Sequence, residues 1–173
     1  MQTPSMGEVR LPTRVELRDL YRDHRWDLVR LASLLLHDLA DAEEVVQDAF
    51  VKAHVAWGRI REPDKALGYL RSIVMNGARS RLRHLQVVSR VDHPRTGLGE
   101  SAEVAAVAGD EHRRMIALLR SLPDRQRECL ALRYYLDLPE AEIAATLGIS
   151  VGSVKTHTHR GLAALATRLE SLR

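Results

Sequence analysis

From Leu17 onward, apolar side chains return every three or four residues, and no long stretch alternates them with polar residues over a β-branched run. That spacing is the helix's period, and its persistence argues against a sheet-based fold. Composition agrees: 26 Leu, 20 Ala and 23 Arg stand against 10 Gly and 6 Pro, with seven aromatic residues among 173. The expected fold class is all-α. The nearest candidate for a membrane span, Leu31–Leu36, is flanked by Arg30, His37 and Asp38. It falls far short of the ~20 residues a membrane span needs, so no membrane insertion is expected. Met1–Arg10 lacks the basic-then-apolar order of a secretory signal. Cys129 is the one cysteine, which excludes an intrachain disulfide and a multi-cysteine zinc site. A reducing, cytoplasmic setting is expected, with no cofactor and no metal.

The periodic segments fall into two halves. Thr13 and Glu16 form a T-x-x-E helix start, followed by Leu17, Leu20, Tyr21, Leu28, Leu31 and Leu35 at helical spacing up to about His37. Asp41 and Glu44 repeat the start signal, and Val45, Val46, Ala49, Phe50, Ala53 and Trp57 continue as an inward stripe. Gly58–Asp64 reads as a loop, and Pro63 opens a third helix carrying Leu67, Leu70, Ile73, Val74, Ala78 and Leu82. Between Val87 and Gly109 the pattern breaks at Pro94, Gly97, Gly99 and Gly109, which reads as a flexible joint with one helical turn around Ala102–Val107. Helical spacing resumes with Met115, Leu118, Leu119 and Leu122, then with Leu130, Leu132 and Leu136, punctuated by Pro123 and Pro139. The expected organisation is a tail over 1–12, a helical domain over 13–86, a linker over 87–109 and a second helical domain over 110–173. Charge follows the same division of surfaces. Residues 41–64 carry six acids against three bases, whereas residues 65–95 carry seven bases against Asp92 alone. The first face suits a basic partner and the second suits phosphate.

The most informative stretch is Pro139–Leu169. Ala144, Gly148 and Val154 fall where a helix-turn-helix needs a small residue at the crossing, a glycine in the turn and an apolar lock on the second helix. Ile143, Leu147 and Ile149 supply the remaining core, and Ser150 is placed to cap the second helix. Ser153, Thr156, His157 and Arg160 then share roughly one face with Lys155 beside it, a pattern suited to base edges and phosphates in the major groove. The alternative is an αα-hairpin that only packs.

In order and spacing, these segments resemble a bacterial RNA polymerase sigma factor of the extracytoplasmic-function (ECF) group, in its short actinobacterial-type form. The resemblance covers Thr13–Leu169. It rests on Asp41–His54 (DAEEVVQDAFVKAH, like region 2.2), Ala66–His84 (ALGYLRSIVMNGARSRLRH, like regions 2.3 and 2.4) and Leu122–Leu165 (like region 4). It implies an alternative sigma factor that binds core RNA polymerase, through the clamp helices of the largest subunit and the flap of the second-largest, and directs it to promoter DNA. Asp41, Glu44, Gln47 and Asp48 are then the polymerase-binding set. The residues alone favour a solvated face there. Arg59, Arg61, Lys65, Arg71, Asn76, Arg79 and Arg83 are the −10 set, with Arg59–Asp64 as the loop that holds an unstacked base. Ser153, Lys155, Thr156, His157 and Arg160 are the −35 set. Tyr69 reads as core by its spacing with Leu70 and Ile73, with base stacking as the alternative, and Arg81 reads as solvent-facing. An anti-sigma factor is a further partner that the family admits and the sequence does not locate.

This sequence departs from the family pattern in places. Glu44 stands where Asp is frequent, and His157 where a basic residue or glutamine is frequent, with His159 nearby. Neutral histidine is the weaker phosphate ligand, so −35 affinity or base choice is expected to differ. Pro139 replaces a frequent serine, implying a weaker cap on the same fold. No H-E-x-x-H, Gly-rich phosphate loop or G-x-S-x-G is present, so no enzyme is expected. Cys129, between Glu128 and Leu130, reads as a buried thiol. The rival function is a helix-turn-helix regulator whose N-terminal half dimerises or senses a ligand, which would not require a second basic helix beside an acidic face. Regulation by a module fused after Arg173 is not expected.

Overall fold

The computed structural model describes residues 16–36, 38–59, 65–91 and 110–171. The order is α1 (Leu17–Leu36), α2 (Leu39–Ala56), a 3₁₀ turn (Trp57–Arg59), α3 (Ala66–Val91), α4 (Asp110–Arg120), α5 (Asp124–Leu130), a π-helical turn (Ala131–Tyr135), α6 (Glu140–Leu147) and α7 (Val151–Glu170). Helices α1–α3 pack on one another through Leu28, Leu31 and Leu35, through Val46, Ala49 and Ala53, and through Leu70, Val74 and Ala78, all buried. Each large member of that set contributes roughly 1.5–3 kcal/mol by leaving water. None of the helices described is long and apolar enough to cross a membrane.

Helix α2 starts earlier than the D-x-x-E signal at Asp41 predicts. Asp38 is the cap, with extended backbone, and its carboxylate accepts the Asp41 N–H at 3.0 Å. Asp41 thus sits within the first turn, near the positive end of the helix dipole. Helix α3 is also longer than expected, running through Val91, five residues beyond the boundary read at 86. The sequence has no Gly or Pro between Arg79 and Asp92, so nothing local stops the helix before Pro94. Thr13, Pro63 and the turn expected at Ala102–Val107 lie outside the described residues. Tyr69, read as core, is 41% exposed. The neighbouring positions Leu70, Val74 and Ala78 occupy the inward stripe, which leaves Tyr69 turned off it.

The C-terminal half is stapled by close helix crossing. Glycine 161 of α7 lies against α5, and a Cβ there would stand 2.9 Å from Leu130 Cδ1 and 3.2 Å from Leu130 Cγ. Leu130 is itself buried and has little room to yield. Gly161→Ala is therefore expected to destabilise this half by ~1–3 kcal/mol from overpacking, partly offset by up to ~1 kcal/mol of helix propensity. Thermal unfolding of the variant measures the balance.

The two halves share one apolar core. Leu132, Leu138 and Ile143 belong to the same buried cluster as Leu31, Val74 and Met75. Helix α6 packs on α3, while α4 and the π-helical turn rest on α1. Linear periodicity shows which face of each helix is apolar but not which partner covers it, so this closure was not legible in the sequence.

Candidate functional site

The helix-turn-helix takes the form its spacing predicts. Gly148 ends α6 in the left-handed region at φ 65° and ψ 38°, where a side chain would cost ~1–2 kcal/mol. Ser150 caps α7, its hydroxyl accepting the Ser153 N–H at 3.1 Å. Ala144, Ile143, Leu147 and Val154 close the small core. Pro139 precedes α6 with no side-chain cap bond, as expected. On α7, Lys155, Thr156 and Arg160 are exposed, and Ser153 and His157 are half-buried. Two of these hydroxyls are already engaged. Ser153 Oγ lies 2.9 Å from Ser150 Oγ, and the Thr156 hydroxyl donates to the Gly152 carbonyl at 3.0 Å. Lys155 Nζ stands 3.7 Å from a Glu140 carboxylate oxygen, a loose and exposed pair.

On α2, Glu44, Gln47 and Asp48 face solvent together. Asp41 does not join them freely: Arg81 Nε donates to it at 3.0 Å, and Arg81 also stands 3.6 Å from Glu44. The solvent-facing role read for Arg81 is thus corrected. The Asp41 hydrogen bond raises the Arg81 pKa above its ordinary value. Sequence reading missed Val51 and Val55, which are 63% and 79% exposed and follow Glu44 and Asp48 at three- and four-residue steps. The signal was present, since two β-branched residues on a polar stripe are unusual. The stripe therefore offers carboxylates, an amide and bare apolar surface together, the mixture found at protein interfaces.

On α3 the expected −10 residues divide. Arg83 is exposed, as are Lys65 and Arg59, while Arg61 lies outside the described residues. Arg79 instead reaches the other half. Its Nε donates to Glu128 Oε1 at 2.6 Å and its Nη2 to Glu128 Oε2 at 3.0 Å, while Nη1 donates to Asn76 Oδ1 at 3.0 Å. Arg71 Nη1 donates to Glu142 Oε2 at 3.2 Å. Burial lowers the Arg71 pKa, and the neighbouring Glu142 carboxylate works against that shift. Neither carboxylate partner had a signal in the sequence, because each lies many residues away on the opposite half.

Cys129 is fully buried, and desolvation pushes its thiol up to about 11. It is expected to resist alkylation at pH 8 in the native protein and to react once the chain is unfolded in denaturant, as thiol titration would show.

Known proteins share this arrangement. The Sigma-70 region 2 family model matches residues 20–87, and the Sigma-70, region 4 model matches residues 112–165. The chain is 31% identical to the RNA polymerase sigma-E factor of Streptomyces avermitilis, across 91% of this chain and 87% of that one. It is 28% identical to the ECF RNA polymerase sigma factor SigW of Bacillus subtilis, across 91% and 89%. Among solved structures it resembles CnrH in complex with the cytosolic domain of CnrY, at a TM-score of 0.69 and 26% identity, covering 90% of this chain and 88% of that one. The fold also matches RpoE bound to the anti-sigma factor NepR from Bartonella quintana, at a TM-score of 0.68 and 20% identity, covering 90% and 99%. With both family regions matched in order and a relative alike over nearly its whole length, the chain belongs to the sigma-70 family, in the ECF group, as an alternative sigma factor that binds core RNA polymerase and directs promoter-specific initiation.

Proposed function

We propose that the three surfaces divide the work of initiation among them. Glu44, Gln47 and Asp48, with Val51 and Val55 beside them, seat the clamp helices of the largest polymerase subunit, and Asp41 braces the stripe through Arg81. The −10 strand is held by α3 and the segment before it, with Arg71, Arg79 and Arg83 following phosphates and Asn76 offering a donor and an acceptor to a base. Helix α7 enters the −35 major groove, Lys155 and Arg160 on phosphates and Ser153, Thr156 and His157 toward base edges. The flap of the second-largest subunit meets the C-terminal half, where Met115, Tyr134 and Leu162 present exposed apolar surface. An anti-sigma factor is a further partner by analogy with the NepR complex. The chain carries no catalysis of its own and acts in the cytoplasm, where polymerase works.

The observation that carries this reading is the exposed, cap-started α7 above a left-handed turn glycine, in one chain with an acidic, apolar-flanked stripe on α2. A ligand-sensing regulator explains the first and leaves the second without purpose. Reconstitution with core polymerase on a promoter library, followed by sequencing of transcript starts, tests it. Defined start sites that vanish without this chain are expected, and duplex binding without start-site selection would favour the regulator.

A further inference from the structure

On charge alone, a cation inside an acidic docking stripe opposes the attraction of a basic partner. Arg81 is such a cation. It reaches from α3 to the start of α2, where its Nε donates to Asp41 Oδ1 at 3.0 Å and its Nη2 donates to the same oxygen. That Nη2 also stands 3.6 Å from Glu44 Oε2. Asp38 adds a third negative charge to this corner. The reach depends on a close helix crossing one turn earlier. A Cβ on Gly77 would stand 3.0 Å from Val45 Cγ1, so α3 lies tight against α2 there, and Arg81 follows Gly77 by one turn. Glu44 and Asp48 line the cleft between the two helices, with Arg81 and His84 contributed by α3. The restraint falls unevenly on the acids. The Asp41 side chain is 16% exposed and committed to the pair, whereas that of Glu44 is 63% exposed and open to a partner.

We propose that Arg81 is a positioning residue for polymerase docking: anchored on Asp41, it holds the Glu44 carboxylate in the orientation that the polymerase meets. The proposal rests on the assignment of the α2 stripe to polymerase. A glutamate on an open helix face samples several rotamers, and fixing one of them on docking costs free energy that the new contacts must offset. A guanidinium already within reach of Glu44 removes part of that cost beforehand. The arginine fork suits the task, since Nη2 faces both carboxylates while Nε secures the anchor. Two effects of opposite sign then compete at Arg81. Its charge weakens long-range attraction, which salt screens over ~8 Å, while its restraint on Glu44 acts at contact. At physiological ionic strength the restraint prevails.

Binding of full-length variants to purified bacterial core polymerase near physiological salt tests the sign. Arg81→Gln makes the stripe more negative by the loss of a cation, so charge alone predicts tighter binding. The positioning role predicts the reverse, a loss of ~2–10-fold, the range for immobilising one flexible side chain. Arg81→Lys keeps the charge but not the fork and is expected to recover part of the loss. Glu44→Gln alone is expected to weaken binding by ~3–10-fold. In that background Arg81→Gln should add less than ~2-fold, because the side chain it acts through is gone. A merely structural role would carry the full loss into both backgrounds. Should the half-buried Asp41, left without its cation, disturb folding, Asp41→Asn with Arg81→Gln substitutes a neutral pair of similar shape at unchanged net charge, and the same loss is expected. Unchanged or tighter binding by the Arg81→Gln variants, or equal losses with and without Glu44, would overturn the positioning role while weakening by Glu44→Gln still marks α2 as the docking face. No weakening by Glu44→Gln would overturn both.

Discussion

Reversing Glu44 and Asp48 together to arginine is expected to weaken core polymerase binding by at least ~100-fold, the effect of like charges facing across a docked interface. Both side chains are exposed on α2, so helicity by circular dichroism should not change. Glu44→Arg brings a second cation near Arg81, which stands 3.6 Å from Glu44, and that costs little in water. Replacing Val51 and Val55 by serine should also weaken binding, but without the salt dependence that marks the acidic pair. Native-gel or fluorescence binding to purified core polymerase measures both. Full binding by the double arginine variant would move the docking surface off α2.

The second large effect is on duplex DNA. Lys155→Ala with Arg160→Ala should weaken −35 binding by ~10–100-fold near physiological salt and reduce the slope of log affinity against log salt by about 2. The loss should be similar across sequences, because phosphates carry no sequence. His157→Ala should instead change which −35 sequence is preferred, and a selection from randomised duplexes would show it. Ser153 is less free to read a base, since its hydroxyl sits 2.9 Å from that of the capping Ser150. Ser153→Ala is therefore expected to shift preference less than His157→Ala. Equal base preference in wild type and His157→Ala would rule out the reading role of that residue.

Local chemistry carried much of this architecture. The left-handed glycine at 148, the Ser150 cap, the small residue at Ala144 and the lock at Val154 depend on neighbours within a few positions, so their spacing was readable directly. The inward stripes of α1 to α3 were readable for the same reason. Boundaries were less so: Asp38 rather than Asp41 starts α2, because either carboxylate satisfies the local pattern and packing selects one.

What the chain order alone settled was the helical class and the helix-turn-helix, each a matter of period and cap within a single segment. What only three-dimensional packing decided was the pairing of charges. Asp41 went to Arg81 forty residues on, Arg79 to Glu128 forty-nine residues on, and Arg71 to Glu142 seventy-one residues on. Electrostatic partners are chosen by proximity in space and by the desolvation each pair must offset, and neither quantity is written in the spacing of residues along a chain.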